Sequence, residues 1–268
     1  MRNCLFVSVW CFNVMILGCS GGERNQTVPK THLDEIIKFH LEEVEKNKYT
    51  FDEYLELTKP YGIWDIRPRN ANGVSIGGEI AKPGEVSHYH YGLFCAHFNI
   101  PKKNVDQPLE NFLDQVHYKE AIYKESALRY VNQLTSLTMK IVNSNHNIFI
   151  SHKRFQRVDD IFFENGKYWK YDIPQDSPYA ISNKQISLKD VSFNKEDKEI
   201  LKELEDLRLY GAVHQNGAVF IIVDGLLDYS YGYMLSPLAP ELIRTGPLFN
   251  FQVLDNLENT GIYFYLSN

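Results

Sequence analysis

The chain has 268 residues and a mass of 31.2 kDa, of which 44% are hydrophobic and 23% are charged. These proportions are ordinary for a globular protein and exclude wholesale disorder, collagen and coiled coil as the main structure. The formal net charge of -6 argues against nucleic acid as a partner, because phosphate binding requires a basic surface.

The N-terminal segment has the pattern of an export signal. Arg2 is the only charged residue before Glu23, and the run Leu5–Leu17 is almost entirely apolar. This run falls within the ~7–15 residues of a signal-peptide core and is shorter than the ~20 residues of a membrane-spanning helix. We therefore predict a signal peptide at residues 1–18, removed on export.

The apolar run ends in Met15-Ile16-Leu17-Gly18-Cys19, and this segment resembles the lipobox of bacterial lipoproteins. The resemblance implies diacylglycerol on the thiol of Cys19, cleavage after Gly18 and acylation of the new amine, for example with palmitate. Two acyl chains hold a protein stably in a membrane where one chain is marginal. Ser20 follows the cysteine, and the absence of Asp there indicates the outer membrane by the enterobacterial sorting pattern. An ordinary cleaved signal with an incidental cysteine is the alternative.

Cysteine usage agrees with this interpretation. Cys4 and Cys11 leave with the signal peptide and Cys19 is lipidated, so only Cys95 stays as a thiol. The exported domain then has no internal disulfide. The apolar neighbours of Cys95 predict a buried, inert thiol.

Helical patterns dominate the first part of the exported chain. Residues 19–30 are a polar tether, and residues 31–268 are predicted to form a single domain. Apolar residues at helical spacing predict a helix from Thr31 to about Lys48. Thr50 and Glu53 match a capping box, which predicts a second helix ending near Thr58.

Between Tyr61 and His97, glycine and proline punctuate segments that we interpret as short strands, among them EVSHYHYGLF. A long helical region follows from Pro108 to Ile141, with a possible break near Tyr118. Polar residues also cluster in three segments of the predicted helices: His32–Glu35, His40–Glu43 and Glu110–His117. We assign them to solvated helix faces.

The second half of the chain is mostly β. Hairpins are predicted at Asn165-Gly166 and Asn216-Gly217, the favoured pair for a two-residue turn. A helix is expected from Asn194 to about Leu207, and a buried central strand at Val219–Val223. The segregation of helices and hairpins predicts the α+β class: N-terminal helices, a long central helical region, antiparallel β hairpins and a C-terminal sheet. The loop at Gln175–Asn183 is the best candidate for an internal boundary.

The best candidate for a metal site is His88-Tyr89-His90. In a strand, residues two apart point to the same side, so both imidazoles could bind one ion, with His97 as a third ligand. Glu79 or Glu85 could add an oxygen. The alternative is local packing of these rings, and we expect no cofactor.

Tyrosines alternate along two C-terminal segments. In a strand, Tyr229, Tyr231 and Tyr233 share one face, while Tyr263 and Tyr265 lie opposite Ile262, Phe264 and Leu266. Paired strands could therefore expose a tyrosine-rich surface for a protein or glycan partner. The alternative is that these rings form a second core layer under a helix.

No signature of a nucleophile, a phosphate-binding loop or a metalloprotease occurs in the sequence, and we name no catalytic residue. We therefore expect a membrane-anchored envelope lipoprotein whose domain binds a partner or ligand without catalysis. An envelope hydrolase, metal-assisted around His88 and His90, is the alternative, and a structural subunit of an envelope complex is a third hypothesis.

Overall fold

The computed structural model describes residues 33–267 except 61, 63, 66–73, 77–78, 82, 152–154, 173–181, 192, 216, 227–228, 237–250 and 259. The predicted signal peptide, Cys19, the predicted tether and Asn216 lie outside the described residues. The described helices are α1 (Leu33–Asn47), α2 (Phe51–Leu57), α3 (Pro83–His97), α4 (Gln107–Arg129), α5 (Val131–Ser144) and α6 (Lys195–Asp206). Two 3₁₀ turns lie at Lys102–Asn104 and Leu188–Asp190.

The strands form two antiparallel sheets. A small hairpin pairs β1 (Val74–Ile76) with β2 (Glu79–Ala81). The main sheet has ten strands in the order β11-β12-β10-β9-β8-β3-β4-β5-β6-β7. Their bounds are β3 (Ile148–Ile150), β4 (Phe155–Val158), β5 (Ile161–Glu164), β6 (Lys167–Asp172), β7 (Ser182–Ile186), β8 (Gly211–Gln215), β9 (Ala218–Leu226), β10 (Tyr229–Leu235), β11 (Phe251–Asn256) and β12 (Ile262–Ser267). The predicted α+β class is confirmed.

Helices cover both faces of the main sheet. Because strand side chains alternate, Ile148 and Ile150 pack on one side with residues of α4, α5 and α6. Phe149 between them packs on the other side with residues of α1, α2 and α3. Farther along this second side, Phe220, Met234 and Tyr265 form a smaller apolar cluster. The N-terminal and central helices therefore belong to opposite layers.

Most predicted elements are confirmed where local chemistry defines them. The Thr50 side chain accepts a hydrogen bond from the Glu53 N–H, and Glu53 accepts from the Thr50 N–H, so α2 starts with the predicted capping box. Asn165 and Gly166 adopt positive φ angles of 52° and 75° and join β5 to β6 in a tight hairpin. Strand β9 lies between β8 and β10, as expected for a buried central strand.

Two boundaries differ from the sequence prediction. The central helical region breaks at Tyr130 and not near Tyr118: the Tyr130 N–H bonds to both Ser126 O and Ala127 O, and α5 begins at the next residue. The candidate boundary at Gln175–Asn183 falls mostly outside the described residues, and its last two residues already belong to β7.

Candidate functional site: a buried histidine junction and a lysine cluster

The prediction of a strand at EVSHYHYGLF is wrong, since these residues lie in helix α3. Proline at the first position suits a helix start, and Glu85 in the first turn complements the helix dipole. Val86, His90 and Phe94 recur every four residues and are all buried, which is helical spacing. That spacing was the available signal, and the alternation His88-Tyr89-His90 obscured it.

The helix separates the histidines proposed as metal ligands. Two residues advance a helix by about 200°, so His88 and His90 point to nearly opposite sides. His88 is exposed, His90 is 2% exposed and His97 is half-buried. Among the residues that the structure describes, no three His, Cys, Asp or Glu side chains lie close enough to hold a metal ion. The predicted metal site depended on His88 and His90 pointing to the same side, and the helix removes this condition.

His90 instead belongs to what we call the histidine junction, formed by His40, Tyr54 and His90. The Nε2 atom of His90 lies 3.1 Å from Nδ1 of His40, and its Nδ1 atom lies 3.1 Å from the Tyr54 hydroxyl. Trp64 stacks on the His40 ring with centroids 4.5 Å apart. The sequence analysis placed His40 on a solvated face, yet His40 is 4% exposed.

Burial keeps both histidines neutral. Removal from water lowers the pKa of His90 to about 3, although the negative charge of Asp65 acts in the opposite direction. Burial, and then the nearby His90, lower the pKa of His40 well below 6.5. Both rings are thus uncharged at neutral pH and joined by hydrogen bonds across three helices.

A second polar group, the lysine cluster, lies between α2 and the sheet. Lys59 Nζ binds Asp224 Oδ1 at 2.6 Å and Glu56 Oε1 at 3.1 Å. Ser151 donates a 3.2 Å hydrogen bond to the other oxygen of Glu56. Burial opposes the charge of Lys59, but the attraction of Asp224 and Glu56 outweighs it and raises the pKa of Lys59. Lys59 therefore stays protonated and is unsuited to act as a general base.

Tyr210 lies under this cluster, with Lys59 Nζ 5.6 Å from its ring centroid. The tyrosine is 3% exposed, and its hydroxyl has no hydrogen-bond partner among the described residues. Burial raises the pKa of this hydroxyl well above 10, so it remains a neutral phenol. Neither polar group contains a charge pattern typical of acid–base catalysis.

The prediction of an exposed tyrosine-rich surface is wrong, because three of its five rings are buried. Tyr231 and Tyr233 donate hydrogen bonds to the Tyr123 hydroxyl and carbonyl in α4, so they form a core layer under a helix. Tyr265 is fully buried on the opposite side. Tyr229 and Tyr263 are half-buried. The predicted opposition of Phe264 and Tyr265 across the sheet is confirmed.

Large apolar side chains are instead exposed on helices α4 and α5. Tyr118 and Ile122, one turn apart on α4, are 84% and 55% exposed. Met139 and Val142 on α5 are 58% and 45% exposed. We call these four residues the helical ridge residues. In the sequence these are apolar positions outside the predicted buried stripe, and only the packing of the helices shows that they stay exposed.

Cys95 is buried, as predicted. None of the described helices is both long and apolar enough to span a membrane. No protein-family model, curated protein or solved structure matches this chain.

Proposed function

We propose that this protein is a bacterial envelope lipoprotein, anchored through acylated Cys19, whose folded domain binds a partner without catalysis. The observation that carries the proposal is the lipobox Met15–Cys19 at the end of an uncharged apolar run. A polar tether between Cys19 and α1 supports it, since such a segment lets the domain stand off the bilayer. The outer membrane is the proposed address.

The contacts of the reactive side chains support a binding role. His40 and His90 are buried and hydrogen-bonded to each other, and Lys59 is held protonated between two carboxylates. A general base or nucleophile needs an accessible group with a suitable pKa. The metal-assisted hydrolase loses the paired histidines on which it depended.

The helical ridge residues replace the tyrosine faces as the proposed contact surface. Exposed Tyr and aliphatic side chains on helices are typical anchors for a protein partner, because they gain free energy when desolvated. Aliphatic residues such as Ile122 gain little from a hydrated glycan. We therefore favour an envelope protein as partner over a glycan.

The anchor is tested by replacing Cys19 with alanine. Cys19→Ala should abolish labelling by a palmitate analogue, and it should release the protein from the membrane fraction or leave its signal uncleaved. Cys11→Ala, which removes another cysteine of the signal segment, should label normally. Unchanged labelling of the Cys19→Ala protein would remove the basis of the proposal.

The contact surface is tested by Ile122→Asp. This change should leave the free energy of unfolding within about 0.5 kcal/mol, as for most exposed positions, while the amount of co-purified partner falls at least tenfold. The measurement is quantitative mass spectrometry of detergent-solubilised membranes. Leu188→Asp is the matched control, because Leu188 is 70% exposed but lies outside the ridge. Equal recovery of the same partner with both variants would show that the ridge is not the contact surface.

A further inference from the structure

Each of the three N-terminal helices contributes one side chain to the histidine junction. His40 comes from α1, Tyr54 from α2 and His90 from α3. Both ring nitrogens of His90 are used, one toward His40 and one toward Tyr54, each at 3.1 Å. The junction therefore ties α1 to the other two helices through hydrogen bonds as well as through apolar packing.

The number of protons on the two histidine rings determines whether both hydrogen bonds of the junction can form. With both rings neutral, two arrangements satisfy both contacts. Either the Tyr54 hydroxyl donates to His90 Nδ1 and the N–H at His90 Nε2 donates to His40 Nδ1, or both hydrogen bonds run in the opposite direction. One added proton still leaves a donor and an acceptor at each contact. Two added protons place an N–H on both nitrogens of the His40–His90 contact, so two donors and two positive charges face each other across 3.1 Å.

We propose that the His40–His90 contact is an acid-sensitive latch, which holds α1 on the protein at neutral pH and releases it with the uptake of two protons. The apolar side chains that α1 buries from residue 36 onward are Ile36, Ile37 and Val44. The latch therefore acts beside this apolar packing in docking the 15-residue helix.

The surroundings of the latch offer little compensation for charge. Trp64 and Phe39 face His40, and Phe94 faces His90, all of them apolar rings. Tyr54 links to His90, and Tyr91 and Cys95 of α3 lie around Tyr54. Asp65 is the acidic group whose charge reaches His90. Asp65 favours a charged His90, but burial among the apolar rings outweighs it and favours two neutral rings in the closed form, while bulk water favours two charged rings in the open form.

Release of α1 would change how far the domain stands from the membrane. Residues 19–32 can span at most about 50 Å, and adding the 15 residues of an unwound α1 roughly doubles this reach. This consequence rests on the proposed anchor, whereas the latch itself does not. A domain at the cell surface or in the periplasm would be in contact with external acid.

Trp64 provides a local readout of the latch, because its ring stacks on His40. Once the signal peptide with Trp10 is removed, Trp169→Phe leaves Trp64 as the sole tryptophan. We expect the emission of Trp64 in the detergent-solubilised mature protein to shift between pH 8 and pH 4. Below about pH 6.5, where released histidines are protonated, the ratio of open to closed forms should change about 100-fold per pH unit, as a two-proton event requires. Amides of α1 should exchange with solvent while those of β9 stay protected.

His40→Asn removes one titrating ring and keeps an acceptor where Nδ1 lies. The dependence should fall to about tenfold per pH unit, and the midpoint should move to lower pH. His117→Gln, which removes an exposed histidine on α4, should leave both unchanged. A steep transition that persists in His40→Asn, or loss of β9 protection together with that of α1, would overturn the latch.

If His40→Asn does not fold at pH 8 by circular dichroism, the wild-type protein still decides. Nitrogen NMR of its histidine rings should show His40 and His90 neutral until Trp64 emission changes. Both rings charged while Trp64 emission is unchanged would overturn the proposal. The soluble Cys19→Ala protein should keep the latch, so failure of the anchor and failure of the latch are distinguishable.

Discussion

Phe264→Ala and Tyr265→Ala are each expected to lower the free energy of unfolding by about 3–5 kcal/mol, as truncation of a buried aromatic ring does. Both rings are 0% exposed, although they lie on opposite sides of β12. Phe264 packs with the helices of one layer, and Tyr265 packs with Phe220 and Met234 on the other side. Burial on both faces is the physical reason for two large losses.

Urea unfolding of the purified domain measures these losses as changes in midpoint. Tyr118→Ala is the matched control, because Tyr118 is 84% exposed and its loss should cost less than about 0.5 kcal/mol. A small cost for Tyr265→Ala alone would show that its side of β12 is open to solvent. The tyrosine face would then again be a candidate binding surface.

Asp197→Ala is expected to cost about 2–4 kcal/mol, because one buried carboxylate has two structural tasks. Asp197 is 0% exposed and accepts a 2.9 Å hydrogen bond from the Asn194 N–H in the capping box of α6. Its other oxygen lies 2.9 Å from Nδ1 of His146, which follows α5. Loss of the carboxylate removes one of the two capping-box hydrogen bonds and leaves His146 without this partner.

The cost of Asp197→Ala should depend on pH with a defined sign. Burial opposes protonation of His146, but the hydrogen bond and charge of Asp197, with the charge of Asp159, outweigh it and raise the pKa of His146 above 6.5. A raised folded-state pKa contributes stability that is fully present below pH 6.5 and is lost as pH rises through the folded-state value. Asp197→Ala should therefore cost more at pH 6 than at pH 9.

Unfolding in urea at the two pH values gives this difference directly. Effects of the histidine junction cancel, since both proteins keep His40 and His90. Asp114→Ala on the exposed face of α4 should cost less than about 0.5 kcal/mol at either pH. A cost for Asp197→Ala that grows with pH would show that His146 and Asp197 are not coupled in this way.

Features encoded within a few residues were predictable from sequence. Thr50 and Glu53 are three residues apart, so their capping box depends on local geometry alone. Asn165 and Gly166 adopt positive φ because of their own backbone preferences. The α+β class follows from such local signals, since each helix and hairpin carries its own periodicity.

Features that depend on which element packs against which were not predictable in this way. The alternation of tyrosines correctly separated Phe264 from Tyr265, but nothing local indicates that α4 covers Tyr231 and Tyr233. His40 and His90 are 50 residues apart, and nothing in either local sequence indicates a contact between them. Only the docking of α1 against α3 brings these two rings together.

The sequence by itself determined the α+β class and predicts the export signal and the lipobox at Cys19, because each is written in contiguous residues or in a short period. The tertiary structure decided which polar residues are buried and which apolar residues are exposed. Burial depends on contacts between segments far apart in the chain, and its free energy therefore has no local signature. For this reason the histidine junction, the lysine cluster and the helical ridge became visible only in the folded chain.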